Sequence, residues 1–549
     1  MQKAILLFLI LFYQALFGTT KITETEKLTA TCKVWGFLKY YHPKVAGGEV
    51  NWDEQLLEKL PKIEKAQTKE EFSLILENWI DDLGAIKEIA PIIIPKEVEI
   101  FDKNFDLSWF NNKVFSKKLS KKLKFIEENR FQGSQYYVEK HDADNIFVKN
   151  EDFQNLKYDE LNSRLLGMFM YWNLIEYYFP YKYHMDKKWD VSLTEMLPAF
   201  IASKNDEEFY NAMEKLSARL NDSHVVFNRY SDEKKERKFF PFKSKIIDEK
   251  LVVTEILADS LAQAENINVG DVITKVNDKT IAEIIAEHRL NVSASNESRY
   301  LKDVAELIES GYTVSAKLEF LKDSKYSSRV LQYYEYRDSH RNEFMKSAPK
   351  KVKFKMLDKN IGYVNMGNLK TIHVPLMIEK LMSAKAIVFD MRNYPNGTFE
   401  EVSSFLNNEE KLFAIYTAPY LNYPGKYRWV EGTKSGANNK NNYKGKVIVL
   451  LNECSISQSE WTAMCFQTAE NTTIIGSQTA GADGNVSDFD LMKAFYSRFT
   501  GLGVYYPDRR ETQRIGIVPD IEIKPTIKGI QEGKDEVLDR ALLFIESGK

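Results

Sequence analysis

The chain has 549 residues, a formal net charge of -3, and 44% hydrophobic and 13% aromatic residues. That is enough apolar material for roughly three or four domains with cores of their own, and the scattered, nearly balanced charge leaves no basic footprint, which excludes nucleic acid as a partner class. Cys32, Cys454 and Cys465 are the only cysteines, an odd count too low for a disulfide framework; with no Cys, His and carboxylate cluster at metal-ligand spacing, neither metal nor cofactor is expected.

Residues 1–18 read as a secretory signal peptide. Lys3 precedes the apolar run Ala4–Tyr13, and Ala15–Gly18 supplies small residues at the end. Export follows, to a periplasm or out of the cell. A membrane anchor is the rival reading, but the apolar run is short of the roughly 20 residues a span needs, and no other stretch approaches that length.

An internal repeat organises residues 19–235. Trp35-Gly-Phe-Leu-Lys-Tyr40-Tyr41-His42-Pro43 matches Trp172-Asn-Leu-Ile-Glu-Tyr177-Tyr178-Phe179-Pro180 at a constant offset of 137 residues, and over positions 34–84 the second copy is identical at 15 of 51. Trp52-Asp53 pairs with Trp189-Asp190 and Leu60-Pro61 with Leu197-Pro198. Each copy reads as amphipathic helices broken at Tyr-Tyr-x-Pro, its aromatic positions as core. The copies part at their ends: Leu83-Gly84-Ala85-Ile86-Lys87 faces Leu220-Asn221-Asp222-Ser223-His224. Only the second carries an imidazole base, so the first copy (19–160, with an insert in which Ile92–Ile94 and Val98–Ile100 are expected strands) reads as scaffold, and the second (161–235) completes a site.

The charge run Ser231–Lys238 reads as a linker. Residues 236–345 follow with short strands near Leu251–Val253, a Gly270-Asp271-Val-Ile-Thr-Lys-Val-Asn277 turn-and-strand unit, and helical spacing over Ile281–Leu290. This resembles a PDZ domain, a fold that holds peptide ends by adding them to a sheet edge. A spacer role is the alternative, since the usual Gly-Leu-Gly-Phe-type carboxylate loop is not evident.

Over residues 350–549 strands and helical stretches alternate: Ile361–Val364, Ala386–Phe389, Val447–Leu451 and Thr473–Ile475 imply βαβ units and a largely parallel sheet. Two polar loops leave carboxyl ends of these strands, Asp390–Gly397 and Asn452–Ser459, where sites of open α/β sheets gather. The second runs through Ser455-Ile456-Ser457-Gln458-Ser459-Glu460 into a helix whose Trp461, Met464, Cys465 and Thr468 share one face. A serine there has amide N–H groups and the positive end of a helix dipole beside it, the surroundings a tetrahedral oxyanion needs. Capping alone also accounts for serines at this position. Gly397 is either a second oxyanion donor or a turn residue.

Taken in order, Asp222-Ser223-His224, Gly270-Asp271, Asp390–Gly397, Ser455–Glu460 and Gly516-Ile-Val-Pro519-Asp520 resemble the carboxyl-terminal-processing and tricorn-core serine peptidase family over residues 160–530. The resemblance implies an α/β fold: a crotonase-like βαβ catalytic core, a PDZ-like module and the duplicated helical region. It also implies Ser457 as nucleophile, three residues before the motif glutamate. The processing branch takes its base from a lysine in a loop which here reads Thr479-Ala480-Gly481-Ala482-Asp483-Gly484, with alanine at the lysine position. The tricorn-like branch uses a Ser-His pair ahead of the PDZ domain, and Ser223-His224 matches, making His224 the base and Ser223 its orienting partner. A late glutamate should back that pair. Alignment places Gln513 there, and Glu511 lies two residues earlier; the charge favours Glu511. Gln458 and Gly397 would supply the oxyanion N–H groups. The implied activity is an exported serine peptidase acting on peptides or unfolded proteins. A non-catalytic peptide-binding protein on the same fold, or a hydrolase of small esters, are the alternatives.

Overall fold

The computed structural model describes residues 21–151, 157–230, 237–335 and 352–548. Residues 1–18, where a signal peptide is expected, and most of the expected linker Ser231–Lys238 lie outside the described residues. Among the described residues no helix is long and apolar enough to cross a membrane.

The repeat is visible as two copies of one three-helix pattern, Glu24–Tyr41, Trp52–Lys65 and Lys69–Asp82 against Leu161–Tyr178, Trp189–Ala202 and Asp206–Ala218. The first helix of each copy ends before proline, because the residue preceding a proline is pushed out of the helical region: His42 and Phe179 are both extended, with ψ of 127° and 121°. The paired tryptophans then lock the turn reciprocally. Trp35 Nε1 donates to Trp52 O and Trp52 Nε1 to Trp35 O, and Trp172 and Trp189 repeat the exchange at 3.2 and 3.0 Å. The two long helices pack on each other at equivalent positions of the repeat. A Cβ on Gly36 would fall 1.7 Å from Asn173 Oδ1, so one copy must lack a side chain where the other places an amide. Asn173 Nδ2 donates across the contact to Cys32 O at 3.0 Å.

In the insert, Ile100–Phe101 pairs with Tyr427–Arg428, but the strand expected at Ile92–Ile94 does not form. Pro91 and Pro95 bracket it, and without a neighbouring strand its exposed backbone has nothing to pair with.

The PDZ-like module is a sheet in the order Lys325–Gln332, Ser315–Lys322, Val272–Val276, Lys250–Ile256, Phe242–Ile247. Helices Ile281–His288 and Glu297–Ile308 pack against it. Its edge strand Phe242–Ile247 is engaged from within: Ser244 N–H and Oγ donate to the Glu309 carboxylate at 2.6 and 2.8 Å.

The α/β core is a six-stranded sheet ordered Phe354–Leu357, Ile361–Asn365, Ala386–Asp390, Lys446–Leu451, Thr472–Gly476, Ile521–Glu522. Only the first pair is antiparallel. Side chains alternate between the faces of each strand. Ile387, Phe389, Val447 and Val449 meet the helices Val374–Leu381, Phe399–Leu406 and Gln458–Phe466, whereas Ala386, Val388, Ile448 and Leu450 meet the C-terminal helix Glu536–Ser547. Burial on both faces is why these strands read as unbroken apolar runs.

His42 gives the helical region a pH dependence. It stands at the repeat position of Phe179, and both its ring nitrogens are buried without a partner. Burial, with a smaller contribution from Lys44, pushes its pKa from 6.5 down to about 4. The folded state therefore binds fewer protons than the unfolded chain between these values, so stability falls as pH drops through that window. The loss reaches on the order of 3 kcal/mol at its acid end. His42→Phe, which copies the second repeat, should flatten the urea midpoint between pH 6.5 and 4; an unchanged slope would show that His42 titrates alike in the folded and unfolded chain.

Candidate active site

Lys446–Leu451 ends in a tight turn, and the helix Gln458–Phe466 starts at its far side. Of the three serines in this turn and the first turn of the helix, two are fasteners. Ser455 Oγ donates to Met391 O at 2.8 Å and Ser459 Oγ to Asn393 O at 3.0 Å, tying this turn to the loop after Asp390. Ser457 is different. It has φ 56° and ψ -119°, a conformation that costs an L-residue on the order of 1–3 kcal/mol and persists only where its surroundings impose it. They do so here: Ser457 N–H is shared between Ala482 O at 2.9 Å and the Glu460 carboxylate at 3.2 Å. A strained strand-to-helix turn of this kind presents a hydroxyl at the head of a sheet with the helix amides behind it.

Gly397 is also left-handed, φ 69°, and a Cβ there would lie 3.4 Å from Gln458 Nε2. The two expected oxyanion donors are thus neighbours, and among the described residues neither backbone N–H is spent on a main-chain acceptor. The Gln458 N–H is one of the orphan donors of a helix's first turn. Of the expected apolar face, Met464 and Cys465 are buried and Trp461 packs edge-on against Phe399 and Phe413; Thr468 lies beyond the helix, its hydroxyl on Cys465 O at 2.7 Å.

His224 comes from the second repeat copy and is buried. It shares no hydrogen bond with Ser457; the loop 479–484 joins them. Ala480 N–H donates to Ser455 O, Ala480 O accepts from Ser223 Oγ, and Ala482 O accepts from Ser457 N–H. Catalytic hydrogen bonds of free enzymes are often long and close only on the substrate complex.

The orienting assignments need correction. Ser223 faces away from the imidazole: its Oγ donates to Ala480 O and accepts from Ser295 N–H, both at 2.9 Å, stapling the Ser-His turn to the PDZ-like module and the 479–484 loop. The Glu511 carboxylate is engaged by groups other than His224. It takes the Tyr183 hydroxyl at 3.1 Å, pairs closely with His184 Nε2, and lies 3.6 Å from Lys103 Nζ; the His184 contact is the main cause holding it below the ordinary carboxylate range. Gln513, the positional candidate, does reach the site, with Nε2 3.2 Å from Asp222 Oδ1.

Two residues went unassigned. His224 Nδ1 is 2.9 Å from Thr500 Oγ1, which donates to Asp222 Oδ1 at 2.9 Å. Strand Phe495–Thr500 pairs antiparallel with Val226–Arg229, Arg498 opposite Val226, and continuing that register sets Thr500 opposite His224. Asp222 stood inside a recognised motif, whereas nothing in the sequence around Thr500 marks it. Burial pushes the His224 imidazole well below 6.5, with Asp222 opposing the shift and Arg498 and Arg299 adding to it.

Residues 360–523 match the model of peptidase family S41, and residues 229–298 that of the PDZ domain. The chain is therefore an S41 serine-type peptidase, a hydrolase, of mixed α/β fold: a crotonase-like catalytic domain with a PDZ domain ahead of it and a helical region at the N-terminal side. No curated protein matches the sequence significantly. Among solved structures, mature CPAF complexed with lactacystin is 12% identical, covering 71% of this chain and 99% of its own at a TM-score of 0.57. Mature CPAF alone is 13% identical, covering 70% and 98% with the same TM-score of 0.57. The photosystem II D1 C-terminal processing protease is 16% identical, covering 68% and 98%, at a TM-score of 0.40. The two CPAF likenesses show a shared fold.

Because the neutral imidazole is favoured by burial, a reaction that uses His224 as a base should keep its rate well below pH 6.5, and the acid limb of kcat/KM should lie beneath that value. Glu511→Gln should leave this limb in place, since its carboxylate faces His184. A limb displaced to lower pH in that variant would restore Glu511 as the partner of His224.

Proposed function

We propose that the protein is an exported serine peptidase that cleaves peptides or unfolded proteins through an acyl-enzyme on Ser457, with His224 as the base. The observation that carries this reading is the Ser457 turn, where two flanking serines are tied down and the middle one is held in a strained, helix-capping conformation. His224 takes the Ser457 Oγ proton as the oxygen bonds to the substrate carbonyl carbon; the C–N bond then breaks and the proton passes to the leaving amine. Gly397 and Gln458 N–H groups meet the oxyanion, a contact whose loss typically costs on the order of 100-fold or more. Water, deprotonated by the same imidazole, releases the acyl group. Alanine at position 482 removes the alternative lysine base.

Ser457→Ala and His224→Ala should each lower peptide hydrolysis by at least about 1,000-fold, and the double variant should be little worse, since nucleophile and base act as one unit. A fluorophosphonate probe should label Ser457 in the native protein. Labelling elsewhere, or full hydrolysis by Ser457→Ala, would sink the assignment; labelling with turnover of esters but of no peptide would make the substrate an ester. Export rests on residues 1–18 and is checked by the N-terminus of the mature protein, expected near Thr19.

A further inference from the structure

The S41 resemblance places a late glutamate behind the Ser-His pair, and this chain has Gln513 there. The imidazole would then lack an acid. The buried contacts of His224 supply one from another direction. Asp222 and Thr500 are fully buried and His224 nearly so. Four donors converge on the Asp222 carboxylate: Thr500 N–H at 2.8 Å, Thr500 Oγ1 at 2.9 Å, His224 N–H at 3.1 Å and Gln513 Nε2 at 3.2 Å.

A hydroxyl has one proton to give. Thr500 gives its proton to Asp222, so toward His224 Nδ1, 2.9 Å away, it can only accept. Nδ1 must therefore carry the ring proton, which leaves the Nε2 lone pair free. This tautomer is assigned from the hydrogen-bond network, and it is the one a base with its Nε2 toward a serine requires. We propose that Asp222, acting through the Thr500 hydroxyl, is the acid that positions His224 and fixes its tautomer, and that Gln513 is an amide because its role is to donate to Asp222. The inference rests on the reading of Ser457 and His224 as nucleophile and base.

The same geometry explains the departure at position 513. A glutamate there would set a second carboxylate about 3 Å from Asp222 in a buried site, where like charges cannot both remain ionised. The amide instead adds a fourth donor. Against Asp222 stand Arg498, whose Nε donates to His224 O at 2.9 Å, and Arg299. The carboxylate's share is to favour the imidazolium formed during acylation, and Thr500 passes that effect on through an oriented O–H dipole.

The test uses the full-length protein and a fluorophosphonate probe, with labelling rates at Ser457 followed from pH 4 to 9. Thr500→Val keeps the shape and removes the hydroxyl; it should slow labelling on the order of 100-fold, the scale of a misplaced reacting group. Thr500→Ser should restore the rate to within about threefold of wild type. Gln513→Glu should slow the reaction, because it replaces a donor to Asp222 by a second carboxyl group that competes with Asp222 for the single charge the buried site can hold. Should Thr500→Val fail to fold, imidazole nitrogen NMR of the unaltered protein decides instead: His224 is expected with Nδ1 protonated and Nε2 bare, and the opposite tautomer overturns the proposal. A wild-type labelling rate in Thr500→Val, or a rate gained in Gln513→Glu, overturns it too, while an inert His224→Ala in the same series would leave the nucleophile and base standing. A His224→Ala protein that labels at the wild-type rate removes that underlying reading and the proposal together.

Discussion

One buried carboxylate holds the two halves of the site in register. Glu460 accepts from Thr479 Oγ1 at 2.5 Å, Gly481 N–H at 2.8 Å, Ala482 N–H at 3.1 Å and Ser457 N–H at 3.2 Å. Burial raises its pKa and these bonds counter the rise. Because the donors belong to two separate turns, neither can shift without leaving a buried donor or acceptor unpaired, at a cost of about 1–3 kcal/mol per group. The strain at Ser457 can persist under such a constraint. Gly516 shows how closely the assembly is built, since a Cβ there would come within 2.3 Å of Thr479 Oγ1. The main chain of Ala482 bonds to both Glu460 and Ser457, while its methyl group can neither accept nor deliver a proton. In the proposed reaction the base therefore comes from outside the core.

The turn that carries His224 is gripped by the 479–484 loop and by the PDZ-like module. Segment 293–296, between the two helices of the PDZ-like module, meets the Ser-His turn through reciprocal bonds: Ser223 N–H to Ser295 Oγ and Ser295 N–H to Ser223 Oγ, both 2.9 Å. Asn296 Nδ2 then reaches Thr479 O at 2.8 Å. Helical repeat, PDZ-like module and core thus meet around one loop. Buried polar contacts of this kind are strong only when fully satisfied, which couples the placement of His224 to the docking of all three bodies.

How much of this could be read beforehand follows from the range of each interaction. Four of the five parallel strands of the core, the duplicated helices and the strand-end turn that carries Ser457 are legible because they rest on local periodicity, on a repeat, or on a turn at a strand end. The pairing of Val226–Arg229 with Phe495–Thr500 is not, because its register depends on side chains from opposite ends of the chain. Thr500 could be found only through that register. Charge alone favours Glu511 over Gln513, but charge does not tell which way the chain faces at each position, and the Glu511 carboxylate turns to His184 and Tyr183. Ser223 was given to the imidazole because it adjoins it in sequence, whereas its side chain points to the 479–484 loop.

The repeat itself shows how one kind of turn comes to stand in two different surroundings. Both copies leave their last helix the same way, with leucine followed by a left-handed residue, Gly84 at φ 89° and Asn221 at φ 50°. Glycine adopts this conformation freely and asparagine tolerates it, so the chain emerges from each helix in a similar direction. Beyond that point the surroundings decide. The first copy passes into a segment without regular structure ahead of the two-residue strand Ile100–Phe101. The second enters Val226–Arg229 alongside Phe495–Thr500 four residues after Asp222. Asp222 can then cap that entry with bonds to His224 N–H and Thr500 N–H, and the imidazole Nδ1 lies 2.9 Å from Thr500 Oγ1 on the new partner strand. The difference between the copies lies less in the exchange of lysine for histidine than in the partner strand that gives the histidine a fixed environment.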